Sequence, residues 1–66
     1  MRIELNGEPF EVADDTTALA LIERVVGSTR GTAVAVDGTV VPRGEWPRTS
    51  LRPGQVVELI TAVQGG

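Results

Sequence analysis

The residues with the most chemical promise are the last two, Gly65-Gly66. A terminal glycine carboxylate has no side chain beside its carbonyl, so a partner's active site can admit it through a narrow channel. Once activated, that carbonyl carbon is open to nucleophilic attack. The missing Cβ lets another backbone approach closely and leaves the pair conformationally free. A terminal Gly-Gly is equally what a frayed end or a remnant of engineering looks like. The rest of the chain has to decide between these readings.

Little else competes for a chemical role. The 66 residues include no cysteine and no histidine. The usual neutral-pH general base, the commonest metal ligand and the thiolate are therefore all missing. A domain of this size has one small core and no room for an enclosed active site. An autonomous enzyme is not expected, and any sulfur or acyl group the chain carries cannot rest on a thiol of its own. The formal net charge of −3 argues against nucleic acid and anionic membrane surfaces as partners. All six basic residues are arginines (Arg2, Arg24, Arg30, Arg43, Arg48 and Arg52), so an activated C-terminus would meet no lysine amine on its own chain. No apolar run approaches the ~20 residues of a membrane span, and no signal-peptide core follows Met1. The cytoplasm is the expected location.

The other candidates are weaker. Asp14 and Asp15 could suggest a cation, but hard cations need several converging oxygens, and two carboxylates before a helix more often serve its N-terminus. No metal site is expected. Gly7, Gly38 and Gly54 read as turn residues, with no phosphate-cradling loop and lysine among them. Arg43 could pair with an acidic partner or brace its own loop. Trp46 could be a recognition aromatic, although packing against the core is the better reading.

The elements that must position the tail follow from pattern. Met1, Ile3 and Leu5 alternate with Arg2 and Glu4, as in a half-buried strand. Asn6-Gly7 suits a type I′ hairpin turn, and the return strand carries Phe10 and Val12 inward with Glu11 outward. Pro9 puts that strand at a sheet edge. Asp14-Asp15-Thr16-Thr17 supplies capping oxygens and negative charge for a helix over about Thr17 to Val26. Ala18, Leu21, Ile22 and Val25 form its apolar stripe, Glu23 and Arg24 face outward, and Gly27 ends it. Thr32 to Val36 is a strand with Val34 and Val36 on one face. Asp37-Gly38 turns it into Thr39 to Val41, which Pro42 stops. Arg43 to Trp46 allows no more than a single helical turn. Arg52-Pro53-Gly54-Gln55 reads as a type II turn before a last strand, Val56 to Thr61. In that strand Val57 and Leu59 face the helix, while Val56, Glu58 and Ile60 face away. An apolar Ile60 on the outer face just before the tail would suit a docking patch. The whole chain, 1–66, forms one α+β domain, with one helix across one sheet and the last strand parallel to the first at its centre. Only the tail, about 62–66, lies outside the compact unit.

This element order with its terminal Gly-Gly resembles the ubiquitin-like β-grasp sulfur carriers, and more closely the ThiS family of thiamine biosynthesis. The resemblance rests on Ala35-Val36-Asp37-Gly38, on Val41-Pro42-Arg43 with Trp46 three positions on, and on Leu51 with Pro53-Gly54. It continues through Val56-Val57-Glu58-Leu59-Ile60 and the ending Ala62-Val63-Gln64-Gly65-Gly66. Gln55 departs from the family, which often has an acidic residue after the turn glycine. The position reads as structural and touches only local stability.

The resemblance implies a β-grasp fold of about four to five strands, one main helix and a flexible C-terminal tail. It implies a carrier with no catalytic residue of its own. An ATP-dependent adenylating enzyme of the ubiquitin-activating type would adenylate the Gly66 carboxylate. A sulfur donor such as a cysteine desulfurase persulfide would convert it to a thiocarboxylate, and thiazole synthase would take the sulfur. ATP is then the partner's cofactor, and the chain binds none. Val63, Gln64 and Gly65 would give access to Gly66, with Ile60, Glu58 and Arg43 as docking candidates. The fold also admits a carrier like the small subunit of molybdopterin synthase, a ubiquitin-like modifier of lysines, or a β-grasp interaction module whose diglycine is incidental.

Overall fold

A computed structural model of the chain describes residues 1–61. The expected first hairpin is β1 (Arg2–Leu5) and β2 (Glu8–Glu11), paired antiparallel with Leu5 opposite Glu8 and Ile3 opposite Phe10. Asn6 (φ 49°) and Gly7 (φ 85°) both take the left-handed backbone that a type I′ turn requires. Val12 N–H donates to Met1 O at 2.9 Å, which puts the ladder bonds on alternate pairs and leaves Pro9 opposite Glu4 at a non-bonded position. Its missing N–H therefore costs the sheet nothing, and β2 is indeed an edge strand.

Helix α1 spans Ala18–Val25. Its cap is Thr17, whose Oγ1 accepts the Ala20 N–H at 3.1 Å. Asp14 and Asp15 do not serve the helix end as expected. They occupy the turn before it, closed by Thr16 N–H to Ala13 O, and no acidic residue lies in the first helical turn. The Asp14 carboxylate instead accepts from the Met1 amino group at 3.2 Å. A second orphan donor of the helix start, Ala18 N–H, is taken by Thr49 O at 2.9 Å. Ala18, Leu21 and Ile22 are fully buried, but Val25 is 44% exposed. The apolar stripe ends a turn early because Val25 is the last helical residue, with no further turn to cover it, and Val26 packs on the core instead. Gly27 (φ 80°) ends the helix and donates its N–H to Ile22 O.

Strands β3 (Thr32–Val36) and β4 (Thr39–Val40) form the second hairpin around Asp37 (φ 52°) and Gly38 (φ 85°). The following 3₁₀ helix covers six residues, Arg43–Arg48, and so exceeds the single turn expected there. Two features extend it. The Trp46 side chain is buried in the core with its indole N–H donating to Val41 O at 2.8 Å, and the Thr49 hydroxyl donates to Glu45 O at 2.8 Å. Gly54 (φ 80°) closes the turn before β5 (Val56–Thr61).

The five strands order as β2-β1-β5-β3-β4, with β5 parallel to β1 and antiparallel to β3. Ile3, Leu5, Val34, Val57 and Leu59 point from the sheet to α1, where they meet Ala18, Leu21, Ile22, Trp46 and Leu51. Each large side chain sealed this way contributes about 1.5–3 kcal/mol of burial. No helix among the described residues is long and apolar enough to cross a membrane.

Candidate functional site

Gly66, Gly65, Gln64 and Val63 lie outside the described residues; the strand that leads to them does not. β5 runs through the middle of the sheet, so the chain approaches its end from the central strand, paired on both sides. Val57 (fully buried) and Leu59 anchor it to the core, while Val56, Glu58 and Ile60 point to the opposite face, as the alternation predicts.

That opposite face carries no helix. Directly opposed residues share a face, so the register assembles it residue by residue. Ile60 lies opposite Ala33, Glu58 opposite Ala35, Ala35 opposite Val40, and Val56 opposite Glu4. Ile60 is 63% exposed and Val40 68%. Ala33 and Ala35 are too small to fill the space between them, so the two larger side chains stand above a shallow apolar shelf. Glu58 sits within this shelf and forms no ion pair among the described residues. The sheet thus brings Ile60 and Glu58 together and adds Val40, whose place on this face the sequence reading missed. Hairpin registry was the available signal: Asp37-Gly38 at the turn fixes Val40 opposite Ala35.

Arg43 is placed differently. It starts the 3₁₀ helix, donates to Thr29 O, and holds its guanidinium 5.6 Å from the centre of the Trp46 ring. This is the bracing role weighed for it in the sequence, and it draws the side chain toward the Ser28–Gly31 loop instead of the row formed by Ile60 and Glu58. Gln55 is also structural: its amide nitrogen donates to Asp37 Oδ2 at 3.2 Å and its oxygen accepts the Arg52 N–H at 2.8 Å.

No group of three or more acidic, histidine or cysteine side chains among the described residues converges on a cation position. A depression lined by Arg2, Ile3, Glu4, Gly7, Pro9 and Gly54 is an open hollow at the β1–β2 end of the sheet. What the arrangement can do is present a partly apolar sheet face to a partner and hold the root of the C-terminal segment beside it.

A mixed five-stranded sheet with this order, grasping one helix, defines a ubiquitin-like β-grasp domain. The model of the ThiS family matches residues 3–66, and the chain belongs to that family. It is 27% identical over 66 residues to the sulfur carrier protein ThiS of Escherichia coli (strain K12), covering 100% of both chains. It is also similar to the thiamine biosynthesis protein ThiS of Geobacter metallireducens. The crystal structure of that protein superposes with a TM-score of 0.84 at 26% identity, with 100% of both chains covered. Its solution structure gives a TM-score of 0.84 at 25% identity, covering 100% of this chain and 88% of the other.

Proposed function

We propose that this chain is the sulfur carrier for the thiazole moiety of thiamine, loaded and unloaded at Gly66. The observation that carries the reading is the family match, which runs from β1 through the diglycine. A carboxylate is anionic and resonance-stabilised, so it needs a leaving group before a sulfur nucleophile can attack. In the proposed sequence an adenylating enzyme lets the Gly66 carboxylate attack the α-phosphate of ATP and expel pyrophosphate. The terminal sulfur of a persulfide, from a donor such as a cysteine desulfurase, then displaces AMP. Cleavage of the S–S bond by a thiol leaves the thiocarboxylate. That group is a soft, ionised nucleophile, and thiazole synthase receives it. ATP belongs to the partner, and the carrier works in the cytoplasm without a cofactor of its own.

The body of the domain serves as the handle in this scheme. Ile60 and Glu58 lie on the helix-free face beside the root of the tail, and we take this face as the docking surface for the adenylating enzyme. Gly65, Gln64 and Val63 form the lead into its active site.

Intact-mass analysis after incubation with ATP, the adenylating enzyme and a persulfide source tests the proposal. Replacement of one terminal oxygen by sulfur is expected. An unchanged mass under conditions in which the same enzyme loads an authentic carrier would overturn it, and an isopeptide with a lysine would point to a protein modifier. Thiazole formation from the loaded chain separates thiamine supply from molybdopterin supply.

A further inference from the structure

Asn6 does more than complete a turn. Its side chain reaches across to the last strand, where Oδ1 accepts the Leu59 N–H at 2.8 Å and Nδ2 donates to Leu59 O at 3.3 Å. Its own backbone N–H donates to Val57 O at 2.9 Å. Strand β1 ends at Leu5, and its backbone register with β5 ends at the Leu5–Val57 pair. The Asn6 amide therefore stands in for the next strand residue and adds one rung to the ladder. At the entry to β5 and within it, the groups of residues 55 and 57 point to β1, as Gln55 O and Val57 O show by accepting from Glu4 and Asn6. Leu59 is the next in that series. Without the Asn6 side chain its N–H and C=O would face no strand, two residues before the end of β5 at Thr61.

The turn alone does not require asparagine. Aspartate and glycine also accept positive φ, and aspartate could take the Leu59 N–H. Only an amide can both accept that N–H and donate to the carbonyl of the same residue.

We propose that Asn6 is a positioning residue for sulfur loading: it fixes the root of the C-terminal segment at Leu59, so that Gly66 reaches the partner's active site from a defined strand. This inference rests on the carrier reading given above. Docking through the sheet face would not depend on it, because Ile60 and Glu58 remain held by their pairing to β3. Loss of the clamp should therefore slow the reaction of bound carrier without weakening binding.

Two variants and two readouts test this. Asn6→Gly keeps the turn conformation and removes the amide, while Asn6→Asp keeps the 2.8 Å acceptor contact. In the free proteins, amide hydrogen exchange at Leu59 should rise about tenfold in Asn6→Gly, the change expected for loss of one ordinary hydrogen bond, with Val34 unchanged. With the adenylating enzyme, pyrophosphate exchange at varied carrier concentration should show kcat lowered about three- to tenfold and KM unchanged, as misplacement of a reacting group would give. Asn6→Asp should fall between the parent and Asn6→Gly, because it keeps the acceptor for the Leu59 N–H and loses the donor to the Leu59 carbonyl. Unchanged exchange at Leu59 overturns the clamp. Wild-type kcat in Asn6→Gly, or a raised KM at constant kcat, overturns the positioning role. A wild-type chain that accepts no adenylate sinks the carrier reading itself, and that result is visible before any variant is compared.

Discussion

The Asp37 carboxylate ties the β3–β4 turn to the start of β5: Oδ1 accepts the Val56 N–H at 2.9 Å while Oδ2 accepts from the Gln55 amide at 3.2 Å. One residue thus turns a hairpin with its backbone and fixes where the last strand begins with its side chain. The contact also explains why residue 55 is an amide here, since a carboxylate at that position would face Asp37 with like charge and no donor.

Exchanging the two groups tests this directly. Gln55→Glu should lower stability by less than about 1 kcal/mol, because Asp37 is exposed and Gln55 only half-buried, so solvent screens the pair, and the loss should grow as salt is reduced. The double variant Asp37→Asn with Gln55→Glu should recover most of it, since asparagine can accept the Val56 N–H and donate to the new carboxylate. Urea midpoints for the four proteins at two ionic strengths give the coupling. A double variant no better than the sum of the singles would disprove the contact's role.

Trp46 is 2% exposed and donates to Val41 O, which makes it the principal link between the 3₁₀ helix and the core. Trp46→Phe should cost about 1–3 kcal/mol through the lost hydrogen bond and ring area. Trp46→Ala should cost about 3–5 kcal/mol. A domain of this length has only about 3–10 kcal/mol in total at 0.05–0.15 per residue, so the alanine variant should lose a third or more of its stability and unfold at a much lower urea concentration. Far-UV circular dichroism through a urea titration is the measurement, since the substitution removes the fluorophore.

The difference between these contacts and the strands shows what could be read from sequence. Ile3, Leu5, Val57 and Leu59 declare their face by period-two alternation, and Asn6-Gly7 and Asp37-Gly38 declare their turns by the left-handed backbone they accept. Those signals are local, and they give the strands, their turns and the outward placement of Ile60, while the central place of the last strand beside the first follows from the crossover through the helix. Asn6 to Leu59 and Asp37 to Val56 are contacts between residues distant in sequence, and neither side chain carries a sign of its partner. The helix start misleads for a related reason. Asp14, Asp15, Thr16 and Thr17 all have capping oxygens, and only the path of the chain between β2 and α1 selects Thr17.

That selection predicts unequal effects from similar changes. Thr17→Ala removes the acceptor for Ala20 N–H and should cost about 1 kcal/mol. Asp15→Asn changes the charge of an exposed turn residue and should stay within about 0.5 kcal/mol of the parent. Thermal unfolding of the two variants side by side checks the assignment. Equal losses would mean that negative charge near the helix start matters as much as the cap.

Ile60 and Gly66 should fail in different ways if the body docks and the tail reacts. Ile60 is 63% exposed and opposite Ala33 on the helix-free face, so Ile60→Glu should leave stability within about 0.5 kcal/mol. Its cost should fall on binding: a buried, unpaired carboxylate in the interface weakens affinity for the adenylating enzyme by at least about tenfold. Removing Gly66 should do the reverse, leaving affinity near the parent value while abolishing adenylation. Titration calorimetry for binding and pyrophosphate exchange for chemistry separate the two. Loss of affinity on removing Gly66 alone would mean that the tail, and not the sheet face, supplies the grip; unchanged affinity in Ile60→Glu would move the docking surface to another face of the domain.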